Sequence, residues 1–117
     1  MVILFSPLFD ESYTHINNAE ASEKTPKELV IYYANKYQVS RETIMKIITC
    51  ESNFNPQAKN ITSKESSYGL AQINLKVHNI TIEQATNPEF AIRFLAKNLS
   101  ENRSNMWFYC YRAATKY

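Results

Sequence analysis

Apolar residues recur along this chain at the three- and four-residue spacing of amphipathic helices, separated by polar breaks built from Asn, Ser, Thr and Pro. Thr25-Pro26-Lys27-Glu28 supplies a Thr cap, a Pro at the first helical position and a Glu where a capping box needs one, so a helix is predicted to about Gln38. Val30, Tyr33, Ala34 and Tyr37 share its inner face. Ser40 caps a second helix, in which Ile44, Ile47 and Ile48 form the apolar row; it ends around Glu51 or Ser52, before Asn53 and Pro56 break it. From Asn53 to Ser66 the pattern loses its period and reads as a loop. A short helix is expected from Ser67 to Asn74, with Tyr68 and Gln72 on one side. Thr81-Ile82-Glu83-Gln84 is another capped start, and Asn87-Pro88-Glu89 opens a longer helix striped by Ile92, Leu95, Ala96 and Leu99. The aromatic segment Met106 to Thr115 is read as the closing helix. No strand, repeat or low-complexity tract is predicted, so the fold class is all-α.

Glu51 continues the row of Ile44 at i+7, which puts a carboxylate on the apolar face. At a helix C-terminus, both the negative pole of the macrodipole and partial burial raise its pKa, as a general acid working near neutral pH requires. Taken alone, a Glu ending an amphipathic helix is more often a solvated residue. Gly69 is the only glycine in the chain, and its place between Ser67-Tyr68 and Leu70-Ala71-Gln72 points to positive φ or a close backbone approach. The pairing of these two features is what points to a site.

Glu51-Ser52-Asn53-Phe54-Asn55-Pro56-Gln57-Ala58, followed by Gly69-Leu70-Ala71-Gln72-Ile73, resembles the soluble lytic transglycosylase (SLT) family, relatives of goose-type lysozyme. The resemblance covers about residues 26 to 115. It implies a lysozyme-like helical domain that cleaves the β-1,4 bond between N-acetylmuramic acid and N-acetylglucosamine in peptidoglycan. It also implies that Glu51 alone serves as general acid and then general base, the substrate's C6 hydroxyl closing a 1,6-anhydro product. The rest of the chain agrees, because acids are scarce: the sole aspartate is Asp10, and Glu65 and Glu83 read as solvated residues.

By the same resemblance, Gly69 and Gln72 line the cleft, Gln72 reads acetamido groups, and Ser52 and Tyr68 are weaker candidates for substrate contact. Ala71 stands where the family has Met, so one apolar cleft contact is expected to be smaller. The family's Ala-Tyr-Asn triplet, whose Tyr orients the catalytic Glu, has Cys110-Tyr111-Arg112 as its nearest counterpart, and the role passes to Tyr111 across that departure. Two alternatives follow: a hydrolytic muramidase acting on the same bond, and a peptidoglycan-binding module that has lost catalysis. If the last helix packs beside the Glu51 helix, as the resemblance implies, Cys50 and Cys110 come within reach of a disulfide; two buried free thiols are the other reading.

A chain of 117 residues fits one domain, here 25–117, preceded by an arm over 1–24. Residues 2–9 are apolar but too short to span a bilayer, and Ala19-Glu20-Ala21 has the form of a cleavage site. The arm is therefore either the remnant of a signal peptide plus linker or an N-terminal arm. Secretion or the cell envelope is the expected location. Net charge is +2 with no basic cluster, which argues against nucleic acid and suits an anionic wall. Eight tyrosines suit sugar faces and helix packing alike, and Trp107 is assigned to packing. His15 and His78 sit in no metal-ligand pattern, and one glycine cannot build a nucleotide loop, so neither metal nor cofactor is expected. A monomer without stable membrane insertion completes the expectation.

Overall fold

The local chemistry of the helix starts is realised in the computed structural model, which describes residues 24–116. Thr25 Oγ1 accepts from the Glu28 backbone N–H at 3.2 Å, and the Glu28 carboxylate takes the Thr25 N–H at 2.9 Å. From this closed capping box α1 runs over Pro26–Tyr37. Ser40 caps α2, Arg41–Ser52, in the same way. A second closed box, Thr81 with Gln84, starts the short α3, Ile82–Ala85. Asn87 caps α4, Pro88–Ser100. A 3-10 turn, Ser104–Trp107, then leads into α5, Phe108–Thr115.

Three short strands interrupt this helical plan: β1 Lys59–Ile61, β2 Ser66–Tyr68 and β3 Ile73–Asn74, antiparallel in the order β1-β2-β3. Lys59 pairs with Tyr68, Asn60 with Ser67 and Ile61 with Ser66, while β3 answers with Asn74 opposite Ser67 and Ile73 opposite Tyr68. The helix expected over Ser67–Asn74 is therefore a strand, a turn and a strand. Gly69 at φ 83° and Gln72 at φ 48° are both left-handed, and each stops a helix. Strands of two or three residues are too short to print a period-two pattern on the sequence, so the residues gave no warning.

The core lies between α1, α2 and α4. Leu29, Val30, Tyr33 and Ala34 face Ala91, Ile92, Leu95 and Ala96, and Ile44, Ile47 and Ile48 of α2 complete it. Leu70, Ala71 and Ile73 plug the turn between β2 and β3 into the same core. α5 packs on α2, and a disulfide between Cys50 and Cys110 joins them across 60 residues of chain. The bridged reading of the two cysteines is thus the one realised. The architecture is the mostly helical, all-α domain expected, with the sheet as its addition. The arm assigned to residues 1–24 lies, but for Lys24, outside the described residues.

Candidate active site

Glu51 sits in the last turn of α2, continuing the row of Ile44, Ile47 and Ile48, each fully buried. Its own side chain is half-buried. No hydrogen bond reaches its carboxyl from any described residue. Loss of hydration is the main cause that pushes its pKa up to about 7, and repulsion from the Glu65 carboxylate adds to it. A carboxyl in this state holds its proton near neutral pH and can release it without a large penalty, as acid–base work requires.

Glu65, read from the sequence as merely solvated, is a group that reasoning undervalued. It stands at the tip of the β1–β2 hairpin, where Thr62 N–H donates to its carbonyl at 2.8 Å and Thr62 Oγ1 accepts its N–H at 3.1 Å. Asn60 Nδ2 donates to the Glu65 carboxylate at 3.3 Å. The fold, not the sequence separation, brings this second carboxylate into the field of Glu51.

The two halves of the motif are stitched together by side-chain and backbone hydrogen bonds. The Ser52 hydroxyl donates, shared between the Ile48 carbonyl at 3.1 Å and the Leu70 carbonyl at 2.9 Å. Ala58 ends the first half, and its carbonyl accepts the Gly69 N–H at 2.8 Å and Gln72 Nε2 at 3.1 Å. Gln72 Nε2 also donates to the Gly69 carbonyl at 3.0 Å. Both partners are carbonyls, so the amide must turn its nitrogen toward them. Only its oxygen is left as an acceptor for a ligand.

Ser52 and Gln72 are accordingly residues that hold the turn against the end of α2. Gly69 has two reasons to be glycine: its φ of 83°, and the carbonyl oxygen of Ala85, into which an added Cβ would run. The close approach anticipated at this position is to the end of α3. Tyr68 is half-buried at the centre of the small sheet. Ala71 is fully buried, with its carbonyl accepting Trp107 Nε1 at 2.7 Å, so it belongs to the core and is not the reduced cleft contact expected from the missing Met. Trp107, also buried, packs edge-on to Phe94 as a core residue.

Tyr111 lies on α5, half-buried against the core. Its hydroxyl makes no hydrogen bond among the described residues, so Glu51 is not oriented by it here. The covalent tie one residue away on each element, Cys50 to Cys110, is what registers α5 against α2. Asn53 at φ 53° and Phe54 at φ 61° turn the chain sharply just past Glu51. Successive left-handed non-glycine residues are uncommon, and each costs of order 1–3 kcal/mol. Asn53 is the left-handed C-cap of α2, at the break the sequence names, whereas no residue pattern announces the turn at Phe54.

A pocket of about 140 Å³ adjoins the turn and is lined by Gln72, Asn74, His78, Phe94, Met106 and Trp107, among others. A larger hollow of about 530 Å³ follows α5 past Tyr109 and Arg112 and touches none of the motif residues. Among the described residues no cluster of His, Cys, Asp and Glu could hold a metal ion, and no helix is long and apolar enough to cross a membrane.

The family model described as the transglycosylase SLT domain fits residues 28–117. No curated protein and no solved structure matches the chain.

Proposed function

The chain belongs to the transglycosylase SLT domain family, glycosidase-like lyases that act on peptidoglycan, and from that premise we propose that it is a lytic transglycosylase with Glu51 as its single acid–base group. The observation that carries this reading is the state of Glu51: half-buried, without a hydrogen-bond donor among the described residues, and holding its proton to about pH 7. In the protonated form it donates to the oxygen between N-acetylmuramic acid and N-acetylglucosamine, and the C1–O bond breaks. Positive charge develops at C1 and is shared by the substrate's own acetamido group. The carboxylate so formed then takes the proton of the C6 hydroxyl as that oxygen closes on C1, leaving a 1,6-anhydro sugar and a protonated Glu51. One carboxyl with a pKa near the working pH serves both halves.

Gly69, Gln72, Ser52 and Tyr68 build the surface beside this acid, and the Gln72 oxygen is the polar atom free to receive an acetamido N–H. Tyr111 is assigned to the wall that α5 contributes. Peptidoglycan glycan strands are the proposed partner and the cell envelope the proposed place of action. The catalytic unit is proposed to span residues 25–117.

One observation favours a second reading, a hydrolytic muramidase: the nearness of Glu65, which supplies the second carboxylate that hydrolysis with water ordinarily uses. Digestion of purified sacculi followed by mass spectrometry separates the two. Anhydro-muropeptides are expected; reducing ends in their place would make the chain a muramidase. Glu51→Gln is expected to abolish release while leaving binding to insoluble peptidoglycan intact. A wild-type protein that binds and releases nothing would reduce the domain to a binding module.

A further inference from the structure

α5 is short, and its packing on α2 is pinned by one covalent bond. It has eight residues and no side-chain cap, and a helix that short does not persist alone in water. Only Cys110 and Ala114 of it are buried, while Phe108 and Tyr109 stand exposed. The preceding Trp107 is well anchored, through Ala71 and Phe94. Beyond Trp107, α5 lies on α2 through Cys110, Ala114 and the half-buried Tyr111, and the bond from Cys110 to Cys50 is the covalent tie that fixes this packing. The bond adjoins the proposed site: Cys50 immediately precedes Glu51 on α2, and Cys110 immediately precedes Tyr111 on α5. Cys50 is exposed, so a thiolate can reach the bond from solvent.

We propose that the Cys50–Cys110 disulfide is a redox gate on the site: closed, it clamps α5 beside Glu51, and opened by a dithiol reductant it frees α5 and switches activity off while the remaining domain stays folded. The step is ordinary thiol–disulfide exchange. One thiolate of the reductant attacks the exposed Cys50 sulfur, the sulfur–sulfur bond breaks and Cys110 leaves as thiolate. The second thiol then displaces Cys50 from the mixed disulfide. Two electrons and two protons pass to the protein, and the reductant becomes a disulfide. Most of the buried core is supplied by α1, α2 and α4, and α5 adds only Cys110 and Ala114 to it, which is why release stays local. A chain kept among thiols would be silent, and one passed to an oxidising compartment would become active. The gate rests on the transglycosylase reading, but the clamp can be tested without it.

The test takes the purified oxidised protein, with and without dithiothreitol, and reads muropeptide release, tryptic cleavage at the exposed Arg103 and Arg112, and the thermal transition by circular dichroism. Reduction is expected to lower release by about tenfold or more and to speed cleavage at Arg112 by about as much, both reversed on reoxidation, with a cooperative transition retained. The double variant Cys50→Ala, Cys110→Ala should behave as the reduced protein and ignore dithiothreitol. Unchanged release and cleavage after reduction would overturn the gate, as would a loss of activity that comes only with loss of the cooperative transition. If the oxidised protein releases nothing, the enzyme reading falls by itself, and the Arg112 cleavage still decides whether the bond clamps α5.

Discussion

A carboxyl in the last turn of α2, half out of water and without a donor among the described residues to share its charge, binds its proton more tightly in the folded chain than in the unfolded one. For Glu51 the unfolded value is 4.5 and the folded value about 7. Below pH 4.5 both states are protonated and the contribution to stability is fully present. Between the two values the unfolded chain has released the proton and the folded chain has not, so stability falls as pH rises; above 7 it has been lost. Solvent screening at a half-buried group reduces the penalty to about 1–2 kcal/mol. Glu51→Gln is therefore expected to match the wild type near pH 4 and to exceed it by that amount above pH 7, as read by denaturant titration across the range. Activity has the same origin. If Glu51 is the general acid proposed, the rate with glycan strands should fall above about pH 7, where it is ionised. Glu65→Gln, by removing the repulsion, should move this alkaline limb of kcat/KM to lower pH without unfolding the domain. An unmoved limb would mean that Glu65 does not act on Glu51.

At the scale of elements, the turn between β2 and β3 is tightly constrained at Gly69. Gly69→Ala must place a Cβ both at φ 83° and in the carbonyl of Ala85, and backbone on either side cannot give way cheaply. A loss of about 2 kcal/mol or more is expected in urea unfolding, together with loss of activity as the turn shifts from Ser52 and Ala58. The need for glycine here was legible in the residues, since a chain with one glycine has a reason for its placement. So were the starts of α1, α2, α3 and α4, because caps are local chemistry written within four residues. The sheet was not, because its strands are short and their pairing is non-local. Nor was the duty of Gln72. The sequence offers an amide there, and only the fold shows that its nitrogen is committed to the Ala58 and Gly69 carbonyls. Glu65 was legible as a carboxylate but not as a neighbour of Glu51, because sequence separation carries no distance.

For the molecule as a whole, the disulfide is the largest single constraint, and its effect on global stability is separable from its effect on α5. Closing 60 residues into a loop removes entropy from the unfolded chain equivalent to about 4 kcal/mol. A single domain of this size has about 5–15 kcal/mol of stability in total, so the reduced chain is expected to stay folded at ambient temperature with a much smaller margin. Its Tm should fall by about 20 °C on reduction, measured by circular dichroism at a pH below that of thiol reoxidation. A fall of only a few degrees would mean that the unfolded ensemble gains little freedom when the bond opens, and that the bond serves the site more than the fold. Either outcome bears on where the chain can work. A bond of this kind persists outside the reducing cytosol, and peptidoglycan lies there too, so substrate and covalent framework ask for the same surroundings. The modest net charge of +2, spread without a cluster, then leaves approach to the anionic wall weakly steered, and the proposed surface around Glu51 would have to supply recognition.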